Sequence, residues 1–425
     1  NNLSLAGNAV LNTTIPATDV NVTVGNDFTL AGTGRYIPGV NTTTFNGTDA
    51  QTFDIQGTIT GNLNNLTIDN TSSLTLSNAV VSNPVVVNAD FRLNHGCTFI
   101  DNGRILEVQG NIINSGTHFK PVSGAGSIQL TGAGAQTISG DGTGTFNNLT
   151  LNKTGGSVTL LAGTTVTGDL RLANAAARLN IGMYNLKLTA TGDVFDNLTG
   201  TGKTFDAGRM IRTNGLMSDG GVSKVYTGTS AFLFPVGFSN AAGTLFYYMP
   251  ASIRYSSAPA SYGTVTTRPV NSRHPLAQTT NSLACYWKTE STGFSGVPAG
   301  SVVHNYTYGP LTNDFVSGTE SNYIPAVYRG NDATAWTTIN NALLVNDGTN
   351  EVTYDTAYTA NGEYTAGEPA AFTGMAIRYS TGVNGDWKNT ATWSSVGVGG
   401  AGGASIPDAN TIVVIGDATH NHTVT

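Results

Sequence analysis

The segment Asn147-Asn148-Leu149-Thr150-Leu151 decides the fold, because it is the third copy of one short motif. The earlier copies are Asn1-Asn2-Leu3-Ser4-Leu5 and Asn64-Asn65-Leu66-Thr67-Ile68. A second motif precedes the later two copies, as Ala50-Gln51-Thr52-Phe53 and as Ala135-Gln136-Thr137-Ile138, 85 residues apart. Repetition at a nearly fixed period is typical of arrays in which successive units stack on each other. The motifs therefore predict a solenoid.

A shorter repeat of apolar-polar-apolar triplets lies inside these units. After the third motif copy the triplets are Leu149-Thr150-Leu151, Val158-Thr159-Leu160, Leu170-Arg171-Leu172 and Leu186-Lys187-Leu188. Such alternation is typical of short strands with one buried face. Leu149 precedes Leu170 by 21 residues, and Leu170 precedes Leu186 by 16. A coil of about 16 to 25 residues is the size of one turn of a parallel β-helix.

We therefore predict an all-β chain that begins with a parallel β-helix over residues 1–228. At a spacing of about 4.8 Å per turn, roughly 11 turns would form a rod on the order of 50 Å long. The stretch from Cys97 to Gly124 fits the repeat poorly, and we interpret it as an insertion.

The composition supports stacked strands and excludes other classes of protein. Charged residues are 11% of the 425 residues, 53 residues are glycine, and the formal net charge is −7. Like charges repeated at strand spacing would repel, whereas Asn and Thr can form hydrogen-bonded ladders. A coiled coil needs long periodic Glu/Lys/Leu-rich segments and a nucleic-acid partner needs clustered cations, and neither occurs. No apolar run of about 18 residues occurs, so we expect no membrane-spanning helix.

The second half of the chain has a different pattern. Aromatic strand-length segments separated by Gly, Pro and Asn turns predict an antiparallel β-sandwich over residues 229–372, with Trp287 as its central core aromatic. Residues 373–425 begin a third pattern and end on Val424-Thr425 within a strand-like run. We interpret them as the truncated start of a further β-helix-like module, and the chain as an internal piece of a longer protein.

These residues resemble a known family, the very large cell-surface proteins of Bacteroidota that are exported by the type IX secretion system, among them the gliding-motility adhesins of SprB type. The resemblance covers nearly the whole chain and rests on four features: Gln136-Thr137-Ile138, Phe146-Asn147-Asn148-Leu149-Thr150-Leu151, Phe234-Pro235-Val236-Gly237, and the series Trp387, Trp393, Pro407-Asp408 and Val413-Val414-Ile415. It implies a cell-surface or extracellular location, an elongated adhesive or spacer role, and the secretion translocon as a partner during export.

Two phosphate-loop patterns are excluded by their context. Gly200-Thr201-Gly202-Lys203-Thr204 lacks the required first glycine, because Asn197 stands there. Gly397-Val398-Gly399-Gly400-Ala401-Gly402 leads into Pro407 and a strand, not into the helix of a dinucleotide fold. We therefore predict no cofactor and no catalytic residues.

Candidate metal ligands and acid/base groups are sparse. His95 with Cys97, and His420 with His422, are pairs with no third ligand nearby in sequence. The two cysteines, Cys97 and Cys285, are interpreted as buried small hydrophobic residues. Five aspartates in turn contexts are interpreted as turn formers, with structural Ca²⁺ and glycan cleavage as the alternatives: Asp54, Asp69, Asp90, Asp101 and Asp141.

Four tyrosines are candidates for stacking on sugar rings, with core packing as the alternative: Tyr247, Tyr248, Tyr306 and Tyr308. Asp355-Thr356-Ala357 resembles the O-glycosylation acceptor of Bacteroidota, which makes Thr356 a candidate modification site. The predicted function is a non-catalytic stalk or adhesin in surface attachment or gliding, with a surface or glycan ligand that the sequence does not identify. The alternatives are a polysaccharide-binding or polysaccharide-cleaving β-helix protein and a trimeric viral fibre.

Overall fold

The computed structural model describes residues 2–14, 19–77, 84–121, 126–175, 177–277, 281–309, 315–329, 336–358, 360–372, 376–382, 384–407, 411–417 and 419–425. Within these ranges helix is limited to four short 3-10 segments, Glu320–Asn322, Ala342–Leu344, Pro369–Phe372 and Thr390–Thr392. The prediction of an all-β chain is confirmed. The chain forms two compact units, the first of Asn1–Val270, Thr289–Thr307 and Thr356–Ala360, and the second of Asn271–Lys288, Tyr308–Asp355 and Asn361–Thr425.

The first unit contains the predicted parallel β-helix. Two long sheets each contain ten parallel strands from successive turns. The parallel strands of the first sheet are Leu3–Leu5, Phe28–Leu30, Gln51–Ile55, Ser73–Leu76, Thr98–Ile100, Thr117–Phe119, Thr145–Phe146, Thr164–Val166, Leu186–Leu188 and Val222–Val225. Those of the second sheet are Val22–Val24, Thr42–Phe45, Asn65–Ile68, Phe91–Leu93, Ile112–Asn114, Gln136–Ser139, Val158–Leu160, Leu179–Gly182, Ile211–Thr213 and Val236–Ser239.

A third sheet completes most turns. Its six strands are Val85–Val87, Ile105–Val108, Ser127–Leu130, Leu149–Leu151, Asp169–Leu172 and Asp193–Phe195. In the N-terminal turns a three-stranded parallel sheet is formed instead by Val10–Asn12, Arg35–Ile37 and Thr58–Ile59.

The inward side chains form continuous aliphatic columns. In the third sheet Leu149 pairs with Ile128 on one side and with Leu170 on the other, and all three side chains are completely buried. A single turn cannot bury its own apolar face, but each turn covers the next and pairs its backbone with it. The predicted 21-residue turn from Leu149 to Leu170 is confirmed. The 16-residue interval to Leu186 is not a turn, because Leu186 lies in the first sheet opposite Thr164.

The repeated motif does not mark one face of the solenoid. Leu3 lies in the first sheet, Leu66 in the second and Leu149 in the third. The same local sequence therefore suits any of the three sheets, since each needs alternate buried residues and a polar corner before the strand.

The interpretation of Cys97 to Gly124 as an insertion is wrong. This stretch contributes Thr98–Ile100 to the first sheet, Ile105–Val108 to the third, Ile112–Asn114 to the second and Thr117–Phe119 to the first again. Its described residues, 97–121, form a regular turn of the solenoid with a less regular sequence.

Buried amides and an ammonium group stabilise the corners. Gln51 donates from Nε2 to the carbonyl of Val24 at 2.9 Å, and its Oε1 accepts from Asn70 Nδ2 at 2.7 Å. Gln136 repeats this arrangement: its Nε2 donates to the carbonyl of Val108 at 3.0 Å, and its Oε1 accepts from the buried Lys153 at 2.6 Å. The glutamine of the second sequence motif therefore connects three successive turns.

Antiparallel pairing replaces parallel stacking at the C-terminal end of the solenoid. Val222–Val225 is parallel to Leu186–Leu188 but antiparallel to Thr264–Val270. Phe246–Tyr248 pairs antiparallel with Val236–Ser239. Phe232–Phe234, Ala251–Tyr255 and Val302–Thr307 are further antiparallel strands of the first unit. The boundary at residue 228 stays a prediction, and parallel pairing continues to Val236 and Gly237.

The second unit is built on antiparallel pairs. Ile324–Tyr328 lies between Trp336–Thr338 and Gly362–Gly367, and Val345–Asn346 pairs with the start of Glu351–Tyr358. Tyr286–Thr292 and Glu351–Tyr358 each contribute residues to both units. Trp287 is completely buried, as predicted.

The last strands of the second unit return to parallel pairing. Ala376–Ser380 is parallel to Thr411–Val414 and antiparallel to Trp393–Ser394. A parallel pair separated by a connection of this length fits the predicted start of a further module. The boundary at residue 372 stays a prediction.

Candidate functional site

The strand Phe246–Tyr248 carries two of the predicted sugar-contacting tyrosines. It folds back onto Val236–Ser239, with Phe238 opposite Tyr247 and Gly237 opposite Tyr248. Tyr247 packs against Phe238 with ring centroids 5.7 Å apart, and Phe246 and Tyr248 belong to the opposite face of the strand because they alternate with it. All three rings are half-buried. Sugar contact by Tyr247 and Tyr248 stays a prediction.

Asn240 builds the turn that brings Phe246 back over the sheet. Its Oδ1 accepts from the amides of Thr244 at 2.8 Å and Leu245 at 3.0 Å, and Gly243 adopts the left-handed conformation with φ 68°. An asparagine that bonds its own loop and a glycine at positive φ are the expected turn formers.

Two arginines from neighbouring turns lie against Phe246. The Arg178 guanidinium carbon is 3.9 Å from the Phe246 ring centroid, and that of Arg212 is 5.6 Å from it. Arg212 points outward because Ile211 and Thr213, on either side of it, are buried. We call Arg178, Arg212, Phe246 and Tyr248 the arginine–aromatic cluster.

The electrostatics of the cluster are those of a partly desolvated cationic site. Burial lowers the pKa of Arg178, and this effect is partly offset by attraction to Asp206. Burial also lowers the pKa of Arg212, and the neighbouring charge of Arg178 lowers it further. Burial raises the pKa of Tyr248, as does the nearby Asp206, so its hydroxyl stays protonated at neutral pH. The cluster can therefore offer two guanidinium groups, a phenol and an aromatic ring to a ligand.

Tyr306 and Tyr308 do not meet the requirement for sugar stacking. Tyr306 is completely buried, and its hydroxyl lies 2.9 Å from both Thr289 Oγ1 and His304 Nδ1. Tyr308 is 1% exposed and donates to Glu320 at 2.6 Å. Neither ring presents a face to a ligand, so the expectation of sugar contact is wrong for these two residues, and the alternative of core packing holds.

The candidate modification site cannot be placed in the same detail. Thr356 belongs to the strand Glu351–Tyr358, but its side chain lies outside the described part of the molecule. Its O-glycosylation stays a prediction.

The five aspartates are distributed among separate corners and strands. Asp90 Oδ1 accepts from the Asn111 amide of the next turn at 2.8 Å, and Asp69 accepts from Asn94 at 2.6 Å. Asp54 accepts from Gln56 at 2.9 Å. Asp141 is exposed, bonds Thr143 and lies 2.9 Å from His95, and these interactions lower its pKa to about 2. These contacts are those expected of turn and ladder residues.

Asp101 has the one completely buried carboxylate among these five. Its Oδ2 lies 2.9 Å from His118 Nε2, and its Oδ1 accepts from the Gly103 amide at 2.8 Å. His118 Nδ1 accepts from the amide of Asn147 at 3.3 Å, so its proton resides on Nε2 and is donated to Asp101. The pair connects three successive turns and has no path to solvent, because both side chains are 0% exposed.

The predicted histidine and cysteine pairs do not assemble a metal site. Cys97 and Cys285 are free and buried, as interpreted from the sequence. His420 bonds Asp417 at 2.8 Å and His422 bonds Ser380 at 2.7 Å. The described residues contain no group of three or more His, Cys, Asp or Glu side chains placed to hold a metal ion. Structural Ca²⁺ stays a prediction.

Sequence reasoning missed Arg178, Arg212 and Phe246. The available signal was weak: Ile211-Arg212-Thr213 is an apolar-polar-polar triplet in a chain that has only 19 Lys and Arg residues. The two arginines meet Phe246 because of the spacing of two solenoid turns and because of the turn at Asn240. Neither feature is visible as a sequence motif.

In the described part of the chain, no helix is long and apolar enough to cross a membrane. Comparison with family models, with curated proteins and with solved structures finds no match in any of the three.

Proposed function

We propose that this chain is a non-catalytic structural segment of a large cell-surface protein, where it serves as a stalk that carries adhesive surfaces. The observation that supports the proposal is the stack of inward aliphatic residues, such as Ile128, Leu149 and Leu170, that continues from turn to turn. A parallel β-helix of this kind is compatible with structural, adhesive and polysaccharide-binding roles.

The architecture suits a load-bearing element. Parallel strands exchange their backbone hydrogen bonds along the solenoid axis, so a pull along that axis is shared by the sheets that join adjacent turns. Side chains add further bonds in the same direction, as Gln51 and Gln136 do between turns. Stability then increases with each added turn, without a requirement for a single large globular core.

Export by the type IX secretion system, a bacterial cell-surface location and a role in attachment or gliding are parts of the same proposal. They rest on the sequence resemblance. The sparse charge and the Asn and Thr ladders are compatible with a neutral, hydrated wall outside the cell.

A cellular experiment tests this function. Antibodies against the purified chain should label intact source cells, and in-frame deletion of the segment should reduce attachment to surfaces. A deletion strain that retains export of the remaining protein is the required control. Unlabelled cells, or wild-type attachment and motility after the deletion, would contradict the proposal.

Polysaccharide binding is the second candidate function, and the arginine–aromatic cluster favours it. Aromatic rings stack on sugars and guanidinium groups bind their acidic substituents. Polysaccharide cleavage requires a pair of carboxylates on opposite sides of one sugar linkage. A test for release of reducing ends from acidic and neutral polysaccharides separates binding from cleavage.

A further inference from the structure

We propose that the arginine–aromatic cluster binds the carboxylate groups of an acidic, uronic-acid-containing polysaccharide, with the chain lying along the outer wall of the second sheet. This inference deepens the adhesive part of the proposed function, because it names the class of ligand and the residues that bind it.

The two guanidinium groups of the cluster form no ion pair with a described residue. Both guanidinium groups lie within about 6 Å of one aromatic ring, and each is partly removed from water. Arg178 donates to the carbonyl of Ala207 at 3.3 Å. The Arg212 side chain makes no hydrogen bond or ion pair with any described residue, and its guanidinium group lies against the Phe246 ring.

The carboxylate of Asp206 interacts with the cluster but does not complete the site. Asp206 attracts Arg178, but it is already paired with Arg209 at 3.1 Å. Two adjacent cations that are partly desolvated repel each other, and an anion placed between them removes that cost. The geometry therefore favours a negatively charged ligand group over a neutral one.

The guanidinium groups also favour one shape of anion. A guanidinium group is planar and presents paired donors, which match the two oxygens of a planar carboxylate. The Tyr248 hydroxyl adds a protonated donor on the same face of its strand as Phe246. A nucleic acid is disfavoured, because the chain carries a net charge of −7 and only 19 of its 425 residues are Lys or Arg.

An outward column of residues on the second sheet leads to the cluster. Thr137, Thr159, Asn180 and Arg212 are consecutive partners in the register of the second sheet, and each is only half-buried. They form an outward column that ends at the cluster, and its two threonines provide hydroxyl groups. Such groups hydrogen-bond sugar hydroxyls, whereas Phe246 and Tyr248 provide apolar ring surface for the sugar faces. The combination fits an extended chain of sugars with periodic carboxylates.

The experiment measures binding of the purified chain to polygalacturonate by isothermal titration calorimetry. Two polymers serve as comparison ligands. Fully methyl-esterified polygalacturonate has the same sugar backbone without the negative charge, and dextran sulfate carries sulfate groups in place of carboxylates. We expect binding to polygalacturonate that weakens as NaCl is raised, and at least tenfold weaker binding to the ester and to dextran sulfate.

Variants assign the binding to the cluster. Arg212→Gln should weaken polygalacturonate binding by about tenfold or more, because a charge-assisted bond is lost. Arg212→Lys keeps the positive charge but lacks the paired planar donors of a guanidinium group. It should reduce the affinity for polygalacturonate by an intermediate amount. Arg35→Gln is the matched control, since Arg35 is an exposed arginine of Arg35–Ile37 in the separate three-stranded sheet, and it should bind like the wild type. Thermal melts confirm that each variant is folded.

Three results would overturn the inference: equal affinity of Arg212→Gln and wild type, equal binding of the esterified polymer, or tighter binding of dextran sulfate. None of these would affect the stalk function, which is tested by deletion in cells. Conversely, normal attachment after deletion combined with Arg212-dependent binding would retain the ligand assignment and reject the adhesive role.

Discussion

The interior of the solenoid is set residue by residue, by which side chains of each triplet point inward. Leu149 lies between Ile128 and Leu170 in adjacent turns and is 0% exposed. Its neighbours on both sides are aliphatic, so no polar group is positioned to satisfy a charge introduced there.

Leu149→Asp therefore tests whether this column is the core. We expect the free energy of unfolding to fall by roughly 3 to 5 kcal/mol, because an unpaired carboxylate is forced into an apolar stack. Chemical denaturation provides the measurement. Leu161→Asp is the matched control, since Leu161 is 50% exposed and should change stability little. Equal effects of the two substitutions would show that Leu149 is not interior.

A buried ammonium group holds one corner of the solenoid. Lys153 Nζ donates to the carbonyls of Gly132 at 2.5 Å and Gly134 at 2.8 Å, and to Gln136 Oε1 at 2.6 Å, so its three donors are all used. Burial lowers the pKa of Lys153 below its ordinary value. The side chain thus satisfies three oxygens at the cost of desolvating a charge.

Lys153→Met should have a stability effect that depends on pH. At pH 7 we expect a loss of about 2 to 4 kcal/mol, because the three oxygens lose their donor. The unfolded wild-type chain binds the Lys153 proton more tightly than the folded chain, so wild-type stability should rise with pH between the lowered folded-state pKa and the ordinary value of 10.5. The variant lacks this rise. Urea unfolding from pH 7 to 10.5 measures the free energy of unfolding of both proteins. Lys187→Met is the control, because Lys187 is exposed. If the free energies of the wild type and Lys153→Met changed with pH in the same way, the lowered pKa of Lys153 would be rejected.

Strands and turns were predictable to different degrees. Triplets such as Leu149-Thr150-Leu151 identify strands because alternation is a local property of the pleat. The assignment of strands to sheets is not local: it depends on the length of each corner, and the copies at Leu3, Leu66 and Leu149 lie in three different sheets. For the same reason, the irregular corner sequences near Cys97 prevented the recognition of a regular turn from the sequence.

The candidate site was partly predictable. Tyr247 and Tyr248 are adjacent aromatics, and a strand must place one of them on each face. Their arginine neighbours could not be found in this way, because Arg178 and Arg212 meet Phe246 only through inter-turn register and a fold-back turn. Burial of Tyr306 and Tyr308 depends on packing between strands that are distant in sequence.

Some positions require glycine because the corners of adjacent turns approach each other closely. A Cβ atom built on Gly57 would lie 2.1 Å from the carbonyl oxygen of Gly34, and one on Gly34 would lie 2.3 Å from that of Leu5. These contacts join equivalent corners of consecutive turns, where Thr58 also donates its amide to Gly34 at 3.0 Å. A side chain there would push two turns apart.

Gly57→Ala should consequently destabilise the solenoid by about 1 to 3 kcal/mol, the usual cost of overpacking. Gly25→Ala is the control: nothing lies within 4 Å of its Cβ position, and we expect no loss or a small gain. Thermal unfolding of both variants checks the expectation. A Gly57→Ala protein as stable as Gly25→Ala would mean that the corners are not in contact.

The first unit as a whole is a stack in which each turn contacts its neighbours, as in other solenoids. The unpaired strand edges at its two ends must therefore be covered by other parts of the chain. At the C-terminal end the antiparallel strand Thr264–Val270 pairs with Val222–Val225, the last parallel strand of the first sheet. Pairing of this kind removes an exposed strand edge, which would otherwise be a template for aggregation.

Disulfide trapping on the outer wall measures this stacking most directly. In a background with Cys97 and Cys285 replaced by alanine, Thr137→Cys with Thr159→Cys places thiols on paired residues of adjacent turns. Thr137→Cys with Asn180→Cys places them two turns apart, at roughly 10 Å, beyond the reach of a disulfide. We expect rapid intramolecular oxidation of the first pair and none of the second, detected by mass spectrometry of the folded protein. Failure of the first pair to oxidise, or equal oxidation of both, would contradict the stacked solenoid.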